Sequence, residues 1–392
     1  MTGEFHPPAR ILMGPGPSNV DPRVLLAMAK PMIGHLDPEF IKIMNSLQDL
    51  MRYIFGTKNG QTIPISGTGS AGMEAAFVNV VEPGDRVLVC VNGVFGERMV
   101  DIAGRCGAEV KTLSAPWGQT FDLAAVEKEL RSCQPKVLAI VHAETSTGVL
   151  QPIEDYVKIL KSHPDTLFLV DTVTSLGGHP VKVDEWGIDI CYSASQKCLS
   201  CPPGLAPITF SPKAMEKTKG RAKKVQSLYL DMNMLGKYWG SERMYHHTAP
   251  ISMNYALLEA LRIIDEEGLE SRYERHRRNH LALVGGIEAM GLSMFVEKPY
   301  RLWSLNTVSI PAGIDDAEVR KRLLDEYNLE IGGGLGPLKG KIWRVGLMGY
   351  SSSEINVLHF LTALEQTLRE QGFEVARGAG ITAAKEVYSR AK

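Results

Sequence analysis

The sequence predicts an α/β fold with a mainly parallel seven-stranded-type sheet in a large domain, followed by a smaller C-terminal α+β domain. Two patterns carry that prediction. Short apolar runs alternate with helical patterns from about residue 60, and the pattern changes past residue 267. A third observation points to chemistry: Lys197 lies just beyond one apolar strand, and Asp171 ends the strand before it.

The chain opens with an arm, Arg10-Ile-Leu-Met-Gly-Pro-Gly-Pro-Ser-Asn19, whose glycines and prolines oppose a regular element. Strands are expected at 62–65, 86–91, 109–113, 137–141, 167–170, 188–191 and 206–210. Between them Met73, Ala76, Phe77 and Val80 fall on one helix face, and 95–103 and 154–160 read similarly. Past residue 267 a long charged helix, 270–290, is expected, with further helices at 316–327 and 353–369. Short strands are expected there at 292–297, 306–310, 329–332 and 343–347. The tail adds a short helix, 382–390, with no evident core face. The resulting division is an arm (1–20), a large domain (21–267), a small domain (268–371) and a tail (372–392).

Composition narrows the function classes. The 392 residues carry 43 basic and 44 acidic side chains, so a net charge of −1 argues for neither nucleic acid nor an anionic membrane. No stretch approaches the roughly 20 apolar residues of a membrane span. The N-terminus lacks the basic and apolar regions of a signal peptide, and Ser389-Arg-Ala-Lys392 is not the Ser-Lys-Leu peroxisomal address. Six cysteines are too few for a disulfide framework. Cys198 and Cys201 form a CxxC, but with no second pair it offers only two metal ligands, so no metal site is expected. A reduced, cytoplasmic setting follows.

Desolvation lowers a lysine's pKa and makes it a nucleophile toward carbonyls. Asp171 beside Lys197 suits a protonated pyridine nitrogen, so the pair suggests a pyridoxal phosphate Schiff-base site. The turn Gly67-Thr68-Gly69-Ser70-Ala-Gly72 matches GxGxxG between a strand and a helix. The next strand, however, runs into Asn92-Gly93 rather than the acid a dinucleotide site requires. A phosphate cradle at a helix N-terminus, or a structural turn, remains. Phe95, after the second strand, either lies on a cofactor ring or packs. Thr145, in Glu144-Thr-Ser-Thr-Gly148, either meets a phenolic oxygen or caps a helix. His142 and Glu144 form no metal set, and His142 reads as a core histidine. The adjacent pair in Tyr245-His-His-Thr248 points two ways in most backbones, which opposes a shared metal. Arg344, inside an apolar strand, needs an anionic partner: a substrate carboxylate or an internal salt bridge.

With these residues in place, the chain resembles the class V, fold-type I pyridoxal phosphate aminotransferases, in particular the alanine–glyoxylate / serine–pyruvate group. The resemblance spans roughly 10–370. It rests on LMGPGPSN (12–19), SGTGSAGMEAAF (66–77), NGVFGER (92–98), ETSTGVLQP (144–152), VDTVTSLGG (170–178), SASQKCL (193–199), RMYHHTAP (243–250) and GGGLGPLKGKIWRVGLMG (332–349). It implies Lys197 as the Schiff-base lysine and Asp171 as the ring-nitrogen partner. Gly69, Ser70 and Gln196 would hold the phosphate, Phe95 (often tryptophan in the family) would stack on the ring, and Thr68 and Val173 would also bind the cofactor. Thr145 stands where serine is common, near the ring oxygen and the substrate. Arg344 would bind the α-carboxylate, with Gly16 also lining the substrate site. Tyr245 and Thr248 would reach the neighbouring subunit's cofactor, implying a homodimer that the arm embraces.

The implied reaction is transamination of alanine or serine with glyoxylate or pyruvate, with Lys197 moving the α-proton. Alternatives are the same chemistry on 3-hydroxykynurenine, ureidoglycine or 2-aminoethylphosphonate, a cysteine desulfurase-type lyase, or a nicotinamide-dependent dehydrogenase using Gly67–Gly72.

Overall fold

A computed structural model describes residues 6–390; the first five residues of the expected arm and the last two of the tail lie outside them. All seven expected runs of the first region form strands: β1 (Gln61–Ser66), β2 (Arg86–Val91), β3 (Glu109–Ser114), β4 (Val137–Val141), β5 (Leu167–Asp171), β6 (Ile190–Tyr192) and β7 (Leu205–Phe210). They share one sheet in the order β1-β7-β6-β5-β4-β2-β3. Only β7 runs against its neighbours, β1 and β6; the other pairs are parallel. Parallel strands are joined by crossovers that cover the sheet, which is why Val137-Leu-Ala-Ile-Val141 is apolar and buried throughout. Helix α1 (Gly69–Val78) follows β1, and α2 (Val94–Arg105) follows β2.

Local chemistry sets the helix ends. The helix Pro38–Phe55 starts where the Asp37 side chain accepts from Glu39 N and proline fills the first turn, and it stops at Gly56 (φ 61°). Helix α3 (Ile251–Glu267) buries Leu257, Leu261 and Ile264 in the core of the large sheet. Gly268 (φ 77°) then turns the chain into α4 (Leu269–Ala289), whose second half contributes Ala282, Leu283 and Ile287 to a separate core. That second core lies among α4, α5 (Asp316–Tyr327), α6 (Glu354–Glu370) and an antiparallel sheet of β8 (Leu305–Ser309), β9 (Gly332–Gly333) and β10 (Ile342–Gly346).

Four expectations need correction. The stretch 292–297 forms no strand: after Gly291 (φ 80°) it makes one bridge, Met294 to Val308, before Pro299 enters a 3₁₀ turn. The run 329–332 splits. Leu329–Glu330 pairs in parallel with Ile11–Leu12, while Gly332–Gly333 pairs with β10. The arm therefore does contain a regular element, and its Met13 is fully buried in the second core. Finally, the tail helix α7 (Ala379–Arg390) has a core face of Gly380, Ala384 and Tyr388 packed along α4. Two of those three residues are small and add little apolar signal, and close approach is what they provide: a Cβ on Gly380 would lie 3.2 Å from Met290. The Tyr388 hydroxyl also donates to Asn279 Oδ1 at 2.8 Å.

Candidate active site

Strand register builds the centre. Asp171 is level with Val141 on one side and Tyr192 on the other, at the C-terminal ends of parallel strands. Open α/β sheets present ligand-binding groups at that edge. Asp171 is buried, with Oδ1 accepting from Val173 N (2.7 Å) and Oδ2 from the Tyr192 hydroxyl (2.7 Å). Burial pushes its carboxyl up to about 6, against the pull of those two donors and of Lys197. Tyr192 did not emerge from sequence reading. The signal available was its position at the end of the strand next to Asp171.

Lys197 follows β6 by five residues and is 9% exposed. Burial, with a smaller effect of Arg344, lowers its ammonium to about 8, while Cys198 and Asp171 oppose the shift. Its Nζ donates to the carbonyl of Pro15. Gly16 (φ 101°) lies directly against the same side chain, and a Cβ there would collide with it. The arm thus closes over the lysine of its own chain.

The glycine turn is the second part. Thr68 is the N-cap of α1, yet its side chain makes no capping hydrogen bond, so the helix start is open to an anion. Gly69 packs against Ala194 and Val173, where a Cβ would stand 3.0 and 3.5 Å away. Ser70 Oγ accepts from Arg98 Nη1 at 3.3 Å, and the Arg98 guanidinium lies 5.1 Å from the Phe95 ring centre. Arg98 was another omission, legible only as the residue one helical turn after Phe95. Gln196 Oε1 is buried without a partner among the described residues, while its main-chain carbonyl accepts from Ser18 N at 2.9 Å.

Phe95, half-buried, stands in the first turn of α2. Thr145 is buried, and its carbonyl accepts from Arg344 Nη1 at 3.4 Å. Arg344 lies in β10 opposite Gly332 and Thr307, and its Nε donates to Gly333 O at 2.7 Å. Both contacts are to carbonyls. No internal salt bridge holds this buried guanidinium among the described residues, leaving it free for an external carboxylate. His142 is a core histidine, with Nδ1 2.9 Å from Ser175 Oγ and burial lowering its pKa to about 3.

Tyr245 and Thr248 are not brought to this edge. Both are exposed, and Tyr245 faces His35, with ring centres 5.3 Å apart. The expectation that the neighbouring histidines diverge is also corrected. His246 and His247 Nδ1 atoms are 2.8 Å apart, and His247 Nε2 is 2.8 Å from Ser66 Oγ. The carbonyl of Leu228, 3.0 Å from His246 Nε2, supplies the acceptor that holds the first ring and lets the second donate to it.

An open helix start, a buried carboxylate, a partly neutralised lysine and an unpaired arginine fit a phosphate-bearing pyridine cofactor and a carboxylate substrate. The aminotransferase class-V family model matches residues 12–354. The structure of an alanine–glyoxylate aminotransferase from Nostoc sp. superposes with a TM-score of 0.93 at 54% identity, covering 94% of this chain and 98% of that one. Ureidoglycine–glyoxylate aminotransferase from Bacillus subtilis gives 0.97 at 43% identity over 99% and 100%. The alanine–glyoxylate aminotransferase of Felis catus is 43% identical over 92% of this chain and 88% of its own. The chain is an enzyme of the class V aminotransferase family, with the α/β architecture of its fold-type I members.

Proposed function

We propose that the protein is a pyridoxal phosphate-dependent aminotransferase moving the amino group of alanine or serine to glyoxylate or pyruvate. The observation that carries this reading is Lys197, buried five residues beyond the strand that pairs with the one ending in Asp171, its pKa lowered to about 8. When bound, pyridoxal phosphate supplies an electrophilic carbonyl carbon and a ring that accepts electrons. Thr68, Gly69, Ser70 and Gln196 hold its phosphate, with the α1 N-terminus providing N–H groups. Phe95 would lie on the ring, Val173 would also bind the cofactor, and Thr145 would meet its hydroxyl oxygen. Asp171 holds the proton on the ring nitrogen. Arg344 clamps the substrate carboxylate and so orients its α-carbon, with Gly16 leaving room above Lys197. Lys197 Nζ would take up the substrate's α-proton as general base and hold it for return.

The active form is a homodimer in which Tyr245 and Thr248 complete the partner's phosphate site. Their exposure, together with exposed Leu228, Tyr229 and Met244, supports this reading. The six unpaired cysteines support a reducing compartment, the cytoplasm. We read the domain division as 21–267 and 268–371, a reading supported by the two separate cores, with Met13 of the arm and Ala384 and Tyr388 of the tail joining the second. A desulfurase would need a reactive thiolate on a mobile loop. Here burial pushes the Cys198 thiol up to about 11, and Cys90, Cys191 and Cys201 are raised further by burial.

Donor choice is tested by ranking kcat/KM for alanine, serine and ureidoglycine with glyoxylate and with pyruvate. Alanine or serine at the top is expected. Ureidoglycine at the top by tenfold would move the assignment to the Bacillus subtilis relative's reaction, and sulfide release from cysteine without keto acid would move it to a lyase.

A further inference from the structure

Glu144 is fully buried, carries a carboxyl group and has no part in the chemistry above. It sits in the two-residue strand Ala143–Glu144, far in sequence from α2, yet it caps that helix. Its Oε2 accepts from Phe95 N (3.1 Å) and Gly96 N (3.4 Å). Its Oε1 accepts from Ser146 N (3.0 Å) and Ser146 Oγ (2.6 Å), and Ser146 Oγ in turn accepts from Val94 N at 3.0 Å. The helix's own N-cap is Gly93, which has no side chain to do this. The space is filled: a Cβ on Gly93 would meet the Glu144 carboxyl and Ser146 Oγ at 2.5 Å. The next residue, Thr145, offers its carbonyl to Arg344.

An ordinary cap comes from the residue at the helix start. Here the donors of the Phe95 turn are held by a carboxyl group from another strand end, buried where any slack would tilt the aromatic ring. We propose that Glu144 is a positioning residue that sets the placement of Phe95 and, through the Thr145 carbonyl, the reach of Arg344. Cofactor retention and carboxylate binding then depend on one side chain that touches neither ligand. This rests on the pyridoxal phosphate reading.

The test titrates the full-length apo chain with pyridoxal 5′-phosphate by tryptophan fluorescence, and measures KM for the amino donor and glyoxylate. Glu144→Ala is expected to weaken cofactor binding about tenfold and raise both KM values several-fold. Glu144→Gln recovers part of the loss, since its carbonyl still accepts from Phe95 N and Gly96 N and its amide donates to Ser146 Oγ, while the Ser146 N–H loses its acceptor. As a control, Asp315→Ala removes the cap of α5, where Asp315 Oδ1 accepts from Glu318 N at 2.9 Å. It should lower Tm without moving the cofactor Kd. If Glu144→Ala does not fold, Gly93→Ala, which pushes on the same carboxyl, carries the test and should also weaken cofactor binding. A folded Glu144→Ala with wild-type Kd and KM, or a Glu144→Gln as defective as the alanine variant, overturns the assignment. A wild-type chain that takes up no pyridoxal phosphate instead overturns the functional reading beneath it.

Discussion

The ledge carrying Asp171 and Lys197 and the segment Met244–Thr248 are built on opposite terms. On the ledge every group is oriented by its own chain: Asp171 by Val173 and Tyr192, and Lys197 by Pro15 and Gly16. Burial there moves both pKa values toward neutrality. The segment is held through its two histidines and one main-chain bond, Met244 N to Lys237 O at 3.3 Å, while Tyr245 is 57% exposed and Met244 52%. The difference fits the proposed reading, in which acid–base chemistry is prepared within one chain and the outer groups would gain a task when a second copy covers them.

Mixing two defective variants breaks or sharpens that comparison with the largest effect. Lys197→Ala alone should lose activity by on the order of 10³-fold or more, and Tyr245→Phe/Thr248→Val should retain cofactor poorly. If sites are shared, refolding them together places both defects in one site and restores the other. Activity should return to about half the wild-type value per mixed dimer. No recovery would assign Tyr245 and Thr248 to their own chain.

Removing the clamp comes next. Arg344→Ala should raise KM for both the amino and the keto acid by about 10- to 100-fold, the worth of a charge-assisted hydrogen-bond pair. A change in kcat alone would make Arg344 structural. A smaller effect follows from the lysine's lowered pKa. Because only the neutral amine attacks a carbonyl, capture of pyridoxal phosphate by the apo chain should accelerate as pH rises through about 8 and level off above it. A rate still climbing toward pH 10 would mean that burial does not lower this lysine. Smallest of all, Phe95→Trp should keep the stacking face and change cofactor Kd by no more than about threefold.

The sequence carried the large sheet because each strand is a continuous apolar run closed by a turn, as in Val137–Val141 and Leu167–Asp171. Where burial depends on small residues the pattern thins, and the core face of α7, with Gly380 and Ala384, went unseen. The placement of Asp171 beside Lys197 was legible for the same reason as the strands. Tyr192 and Arg98 were not, because their partners are joined through register and helix rotation rather than through neighbouring positions. The divergent reading of His246 and His247 failed because a backbone rule ignores the Leu228 carbonyl and Ser66, which draw the two rings together.

The central claim is that Lys197 and Asp171 serve an amino-group transfer. It is tested most directly by mixing the cofactor-loaded enzyme with its best donor in the absence of any keto acid. One keto acid per chain should appear and the reaction should then stop, with turnover resuming when glyoxylate is added and glycine forming in step. Continuous product without an acceptor, or no keto acid from any amino donor, would contradict the account.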